Sequence, residues 1–212
     1  SNFGVSGMKP SHPELLDWLT GKSIASGGKL KPLHKLMLMS ATYRQSSSMA
    51  HEEPDNALLS RMNKQRMEAE VIRDSVLAVS GKLNGKLGGP GIKPRIRAEL
   101  LDASQRNKWP VLKMESGEHW RRSIYIYVKR QLLMPSMELF DAPTTTDSCA
   151  LRTQSTVPTQ ALVMMNDEFV EEQAGYLARR AKAEAGDEMQ KIVERLFLLA
   201  LSKKPTELRT TQ

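Results

Sequence analysis

The sequence predicts a mainly α-helical domain of about five to seven helices with a small β element near residues 122–128. Three observations carry that expectation. Apolar residues recur at three- and four-residue intervals through most of the chain, the spacing that lines one face of a helix. Helix-start chemistry precedes several of those stretches, most plainly at Ser11-His12-Pro13-Glu14. The alternation that marks a strand occurs once, in Arg122-Ser-Ile-Tyr-Ile-Tyr-Val128.

Ser11 is placed to cap the first helix, Glu14 to reach back from three residues on, and Pro13 to occupy the first turn, where a missing N–H costs nothing. Leu15, Leu16, Trp18 and Leu19 supply an apolar face, and Gly21, Gly27 and Gly28 end it. Pro32 opens a second helix, in which Leu33, Leu36, Met37 and Ser40-Ala41 repeat at helical spacing. It runs through Tyr43-Arg44-Gln45 and is left at Ser46-Ser47-Ser48. Asp55-Asn56 starts the strongest expected helix. Leu58, Met62, Ala69, Ile72, Val76, Val79 and Leu83 form one stripe, while Arg61, Lys64, Glu68 and Arg73 face elsewhere. Gly81, Gly85, Gly88, Gly89, Pro90 and Gly91 read as a mobile connection, and no G-K-[ST] follows to make it a phosphate-binding loop.

A short helix is expected near 97–106. In the strand, Ile124, Ile126 and Val128 share one face and Tyr125 and Tyr127 the other, and its backbone needs a pairing partner. The apolar run 132–140 is broken by Pro135, and 141–147 is a loop. Helices follow over 159–165 and 168–182, with Asn166-Asp167 as the break and Asp167 in the second cap. A last helix starts at Asp187, buries Ile192, Val193, Leu196, Phe197 and Ala200, and closes at Ser202 and Pro205.

These elements are expected to form one domain over 1–212, truncated at its N-terminus. The C-terminus also reads as cut, because Pro205-Thr206-Glu207-Leu208 looks like another helix opening. Its parts are a helical stretch at 1–80, a variable glycine-rich and basic insertion at 81–120, and the strand with the C-terminal helices at 121–212. Hydrophobic residues at 40% and charged residues at 26% are ordinary for a globular domain. No apolar run approaches the roughly 20 residues that cross a bilayer, so no membrane span is expected.

The single cysteine, Cys149, excludes an internal disulfide and a cysteine-cluster metal site. It reads as a small buried hydrophobe, the alternative being a reactive thiol. With no C-x-x-C-H for haem, no cofactor is expected in this chain. The net charge of +7 concentrates between Lys93 and Arg130, where ten basic residues face four acids. Such a stretch attracts polyanions, or else is a solvated loop.

Three constellations could carry chemistry. His34, Tyr43 and Arg44 fall on one side of the second helix. His34 is then a base or ligand and Arg44 an anion clamp, or His34 is a core residue and Arg44 bonds its own helix end. Glu70 and Asp74, with Arg66 and Arg73 interleaved, are an acid–base pair or a lattice of ion pairs. Arg121, Arg122, Lys129 and Arg130 bracket Tyr125 and Tyr127, which suits sugar stacking and anion recognition unless the tyrosines are core. No spacing of His12, His51 and His119 assembles a metal site, and the serine run lacks a nucleophile setting. Nucleic acid is disfavoured, because no recognised binding motif appears.

Several segments together have a family look: Pro10-Ser-His-Pro-Glu-Leu-Leu-Asp-Trp18, Leu33-His-Lys-Leu36 into Ser40-Ala-Thr-Tyr-Arg-Gln-Ser46, and Glu70-Val-Ile-Arg-Asp74. Arg121-Arg-Ser-Ile-Tyr125, Glu138-Leu-Phe-Asp141 and Thr156-Val-Pro-Thr-Gln-Ala-Leu162 continue it in order. The chain resembles the C-terminal domain of unknown function of planctomycete-type secreted proteins, which commonly follows a cytochrome c-like domain. The resemblance implies export (to the periplasm, envelope or outside) and a multidomain parent that carries any haem elsewhere. It brings no catalytic residue.

The expected role is a non-catalytic binding or accessory module that contacts acidic polysaccharide or neighbouring domains of its parent. The alternatives are an enzyme domain acting on polysaccharide through Glu70, Asp74, His34 or Asp141, with a site completed elsewhere, and a spacer for the haem-type domain.

Overall fold

A computed structural model describes residues 5, 7, 9–48, 56–101, 109–130, 132–146, 148, 149 and 151–206. Among them seven α-helices form: α1 (Pro13–Ala25), α2 (Leu30–Leu38), α3 (Ala69–Val79), α4 (Pro135–Leu139), α5 (Pro158–Asn166), α6 (Glu168–Ala185) and α7 (Met189–Leu201). The chain is mainly helical and has no sheet among the described residues. None of these helices is long and apolar enough to cross a membrane. Contacts group the chain into two compact units, Ser1–Arg66 and Met67–Gln212.

In the first unit, α1 packs on α2, and neither helix buries a residue. α1 starts at Pro13 as expected, but His12 is the capping residue and makes no side-chain cap bond. Ser11 is not the cap, because its hydroxyl pairs with His12 Nδ1 at 2.9 Å. Gly27 and Gly28 end the helix at φ 66° and 72°, a region that glycine enters without a Cβ clash. α2 is shorter than its pattern. It stops at Leu38, and 39–44 continue as turns, with the Ser40 hydroxyl donating to the Met37 carbonyl at 2.7 Å and accepting from the Tyr43 amide.

The long helix expected from Asp55 to Leu83 forms only over α3. Asn56 (φ 47°) and Leu59 (φ 56°) are left-handed, which no helix interior tolerates. The buried Asn56 amide explains the alternative. It donates to the Arg61 carbonyl and to Asn63 Oδ1, both at 2.8 Å, and its oxygen accepts from the Arg61 amide at 3.2 Å. These bonds replace the helical ladder over 56–63. Leu58 and Met62 of the expected stripe are accordingly exposed. Asp55 lies outside the described residues, as do His51, Asp102, Arg106, Lys108, Asp147, Glu207 and Leu208.

The second unit is organised around α3. Ala69 joins Met137 and Phe140 in one buried cluster, with Ile72, Ile126, Met134 and Met164 packed against it. Ile96, Leu101 and Trp109 form another, which Leu132 joins. α6 packs against α3, α5 and α7. The break at Asn166-Asp167 is as expected, and Asp167 caps α6 by accepting from Phe169 N at 2.9 Å and Val170 N at 3.4 Å. The last helix starts two residues later than expected; Ile192, Val193, Leu196 and Phe197 are half-buried, while Ala200, expected to be buried, is exposed. Cys149 is exposed, not buried.

The β element consists of isolated bridges. Asn84 pairs with Arg121 and Ile92 with Ile126 in parallel, and Lys129 with Leu132 antiparallel. Between the first two, Ser123–Tyr125 forms a 3-10 turn, so the residues from 122 to 128 are not one strand. Ile126 therefore packs on the core, while Ile124 turns out to 75% exposure and Val128 to 53%. The helix expected near 97–106 is, within the described part, a 3-10 turn at Ala98–Leu100.

Candidate functional site

The site begins on α3. Arg73, expected on an outer face, is 5% exposed. Its Nη1 donates to the Arg121 carbonyl at 3.1 Å and to Ser123 Oγ at 3.3 Å, and its Nη2 to the His119 carbonyl at 2.7 Å. The guanidinium lies 5.4 Å from the centre of the Phe169 ring. Burial pulls its pKa below the ordinary value, and the charges of Glu115 and Asp74 work against that shift. Asp74 Oδ1 accepts from the amide and the hydroxyl of Ser123, both at 2.7 Å, which creates the 3-10 turn. Arg122, more than half exposed, reaches Asp74 Oδ2 at 3.7 Å.

Arg121, the largest fully buried side chain, continues inward. Its Nη1 donates to the Pro90 carbonyl at 3.0 Å, and its Nη2 donates to the Gly88 carbonyl. The guanidinium lies 3.9 Å from the Tyr125 ring centre, and the Tyr125 hydroxyl accepts from the Gly88 amide at 2.8 Å. Gly88 and Gly89 (φ 72° and 86°) thus sit in a loop held by two side chains, where the sequence suggested a mobile connection. Arg121 and Tyr125 are committed to this loop and do not form an exposed face.

The remaining members of that face are at the surface. Tyr127 is 48% exposed, and Lys93 Nζ lies 5.0 Å from its ring centre. The contact follows from the Ile92–Ile126 bridge, in which the Tyr127 amide donates to the Ile92 carbonyl at 2.7 Å. Lys129 is half-buried at its bridge with Leu132, and Arg130 is exposed. His34 and Arg44 are exposed too, but α2 ends between them, so no common helix aligns them.

The carboxylates are engaged. Glu70 receives both Arg152 Nη1 at 2.7 Å and Nη2 at 3.0 Å. That two-pronged bond holds its carboxyl below the usual carboxylate range against the opposing effect of burial. Glu70 and Asp74 are therefore locked as the lattice reading expected, with Arg152 and Arg122 as the arginines. Asp141, at φ 59°, accepts from the Ser155 amide at 2.7 Å and from its hydroxyl. Among the described residues no group of three His, Cys, Asp or Glu could hold a metal ion.

A further cluster escaped the sequence reading. The edge of one ring meets the other in the Trp120–Tyr176 pair, with centres 5.5 Å apart and planes at 69°. Lys82 Nζ lies 4.2 Å from the Tyr176 ring centre and 5.9 Å from that of Trp120, while Arg179 Cζ lies 4.6 Å from Tyr176. Trp120 is fixed by its indole N–H, which donates to buried Glu115 Oε2 at 3.1 Å. Neither Lys82 nor Arg179 forms an ion pair among the described residues, in contrast to Arg180 and Arg195, which share Glu184. The one local signal was Tyr176 and Arg179 three apart on a helix. Lys82 and Trp120 come from distant segments and leave no pattern.

No curated protein and no solved structure matches this chain. The sequence profile of one family does match over residues 1–212, and the chain belongs to that family, PSD1, described as a protein of unknown function (DUF1553).

Proposed function

We propose that this chain is a non-catalytic binding module that recognises acidic polysaccharide, within a large exported multidomain protein. The parent is of the planctomycete secreted type, with a cytochrome c-like domain upstream, the setting that the sequence resemblance implies. The observation that supports the binding role is the pair of cations on Tyr176. Contact with a ring pre-orders long side chains that otherwise lose rotamer freedom on binding. Among the described residues Lys82 and Arg179 have no carboxylate partner, and they can meet sulfate or uronate groups. Tyr127 with Lys93 offers a second such pair.

An acid–base role is less well supported. Glu70 is held ionised by Arg152, the opposite of what a general acid requires, and Asp141 is engaged by the amide and hydroxyl of Ser155.

The test is titration of the full chain with sulfated, carboxylated and neutral polysaccharides at low and physiological salt, beside a Lys82→Ala/Arg179→Ala variant. Binding should be confined to the acidic polymers and weaken with salt. Two surface charge contacts are worth up to about 1 kcal/mol each, so the variant should bind about tenfold more weakly. Equal binding of a neutral polymer, or an unchanged variant, overturns the reading.

A further inference from the structure

Polysaccharide recognition through Tyr176 leaves the helical hairpin of the first unit without a role, and that hairpin carries its apolar side chains on the outside. Ile24 and Leu30, on either side of the Gly27-Gly28 turn, are 74% and 61% exposed. Trp18 of α1 and Leu36, Met37 and Leu38 of α2 are exposed as well. Single exposed apolar residues are ordinary, but a concentration of them in one element marks a surface that meets a partner.

The charges around these residues state the chemistry of that partner. Between Asp17 and Glu52 the sequence holds Lys22, Lys29, Lys31, Lys35 and Arg44 and no acid. Among the described residues none of the five forms an ion pair. Lys22 Nζ rests 5.3 Å from the ring centre of Trp18. The hairpin's own acids, Glu14 and Asp17, lie in the first half of α1, at the far end from the turn. The turn is therefore a tip, with Ile24 and Leu30 as its apolar edge and Lys22, Lys29 and Lys31 beside them.

Three occupants fare differently on this tip. A second copy of the hairpin would set cations against cations, which disfavours self-association. A polyanionic sugar would meet the lysines and leave Ile24 and Leu30 in water. An anionic bilayer satisfies both groups. Long lysine side chains keep their ammonium ends at the phosphates while the apolar residues enter the headgroup–acyl boundary, the depth that tryptophan also favours.

We infer that the α1–α2 turn docks the protein on the surface of a bilayer rich in anionic phospholipid. Ile24 and Leu30 insert below the headgroups, and Lys22, Lys29 and Lys31 meet the phosphates. The hairpin lies on the membrane without crossing it, since neither helix is long and apolar enough to span. The docking surface shares no residue with the Lys82–Tyr176–Arg179 cluster, so it stands apart from the polysaccharide reading.

The test is flotation of the full chain with vesicles of phosphatidylcholine, alone or mixed with phosphatidylglycerol, at low and physiological salt. The protein should float with the mixed vesicles only. Every side chain to be replaced at the tip is exposed, so circular dichroism should show the helical content kept in each variant. Lys29→Gln/Lys31→Gln removes two cations, each worth about fivefold near such a surface, and should weaken partition about thirtyfold at low salt. Ile24→Ser/Leu30→Ser keeps the charge and should weaken it by at least about tenfold. Lys82→Ala/Arg179→Ala should float as the unaltered chain does. Equal flotation with neutral vesicles overturns the inference, and so does undiminished flotation of Ile24→Ser/Leu30→Ser, because charge alone then holds the protein. Failure to float with either vesicle overturns it too and leaves an acidic protein as the occupant of the tip.

Discussion

At the residue scale, arginine explains more of this protein than any other side chain. Arg73 and Arg121 are buried and bonded to main-chain carbonyls, while Arg152 makes a two-pronged ion pair with Glu70. That pair fixes a pH response with a definite sign. The folded-state pKa of Glu70 is lowered, so its contribution is fully present above the ordinary carboxylate range of about 4.3 and fades as pH falls through the folded value. The two side chains are about one-third exposed, which limits the pair to about 1 kcal/mol. Urea denaturation should find Arg152→Ala less stable by about that amount at pH 7, with the gap closing as the pH drops below 4. A gap that persists unchanged in acid would assign the loss to packing of the arginine stem.

At the element scale, legibility followed locality. The break between α5 and α6 was readable because Asp167 caps the amides of Phe169 and Val170, two and three residues on. Replacing that cap should cost about 1 kcal/mol, and Asp167→Ala should lower the thermal midpoint by a few degrees without changing the helical spectrum. The misreadings came from partners out of sequence reach. Ile-Tyr-Ile-Tyr alternates as a strand should, yet Asp74, forty-nine residues away, takes the amide and hydroxyl of Ser123 and turns the chain there. The stripe from Leu58 to Val79 keeps helical spacing, but the buried amide of Asn56 competes successfully for the local backbone. The candidate face at 121–130 was half legible. Its charges and rings were visible, but which of them point inward was decided by carbonyls at Gly88 and Pro90. The cluster on Tyr176 was hidden, because Lys82 and Trp120 join it only by tertiary packing.

At the scale of the whole molecule, stability is unevenly shared. Every buried apolar side chain among the described residues belongs to the second unit, from Ala69 to Ala181, whereas α1 and α2 bury none. Cooperative unfolding follows the buried apolar surface. A fragment of residues 67–206 should therefore melt in a single transition near that of the full chain, as circular dichroism would show. A fragment without a transition would place essential contacts in the first unit. The stretch from Lys82 to Arg130 has no α-helix and no ladder among its described residues, and two guanidinium groups clasp it by its peptide oxygens. Every amino acid presents the same peptide oxygen. The exposed side chains along this stretch can accordingly drift through evolution while its path is preserved, provided that the two arginines, the loop glycines with positive φ, Ser123 and the buried Ile92, Ile96, Leu101 and Trp109 stay in place.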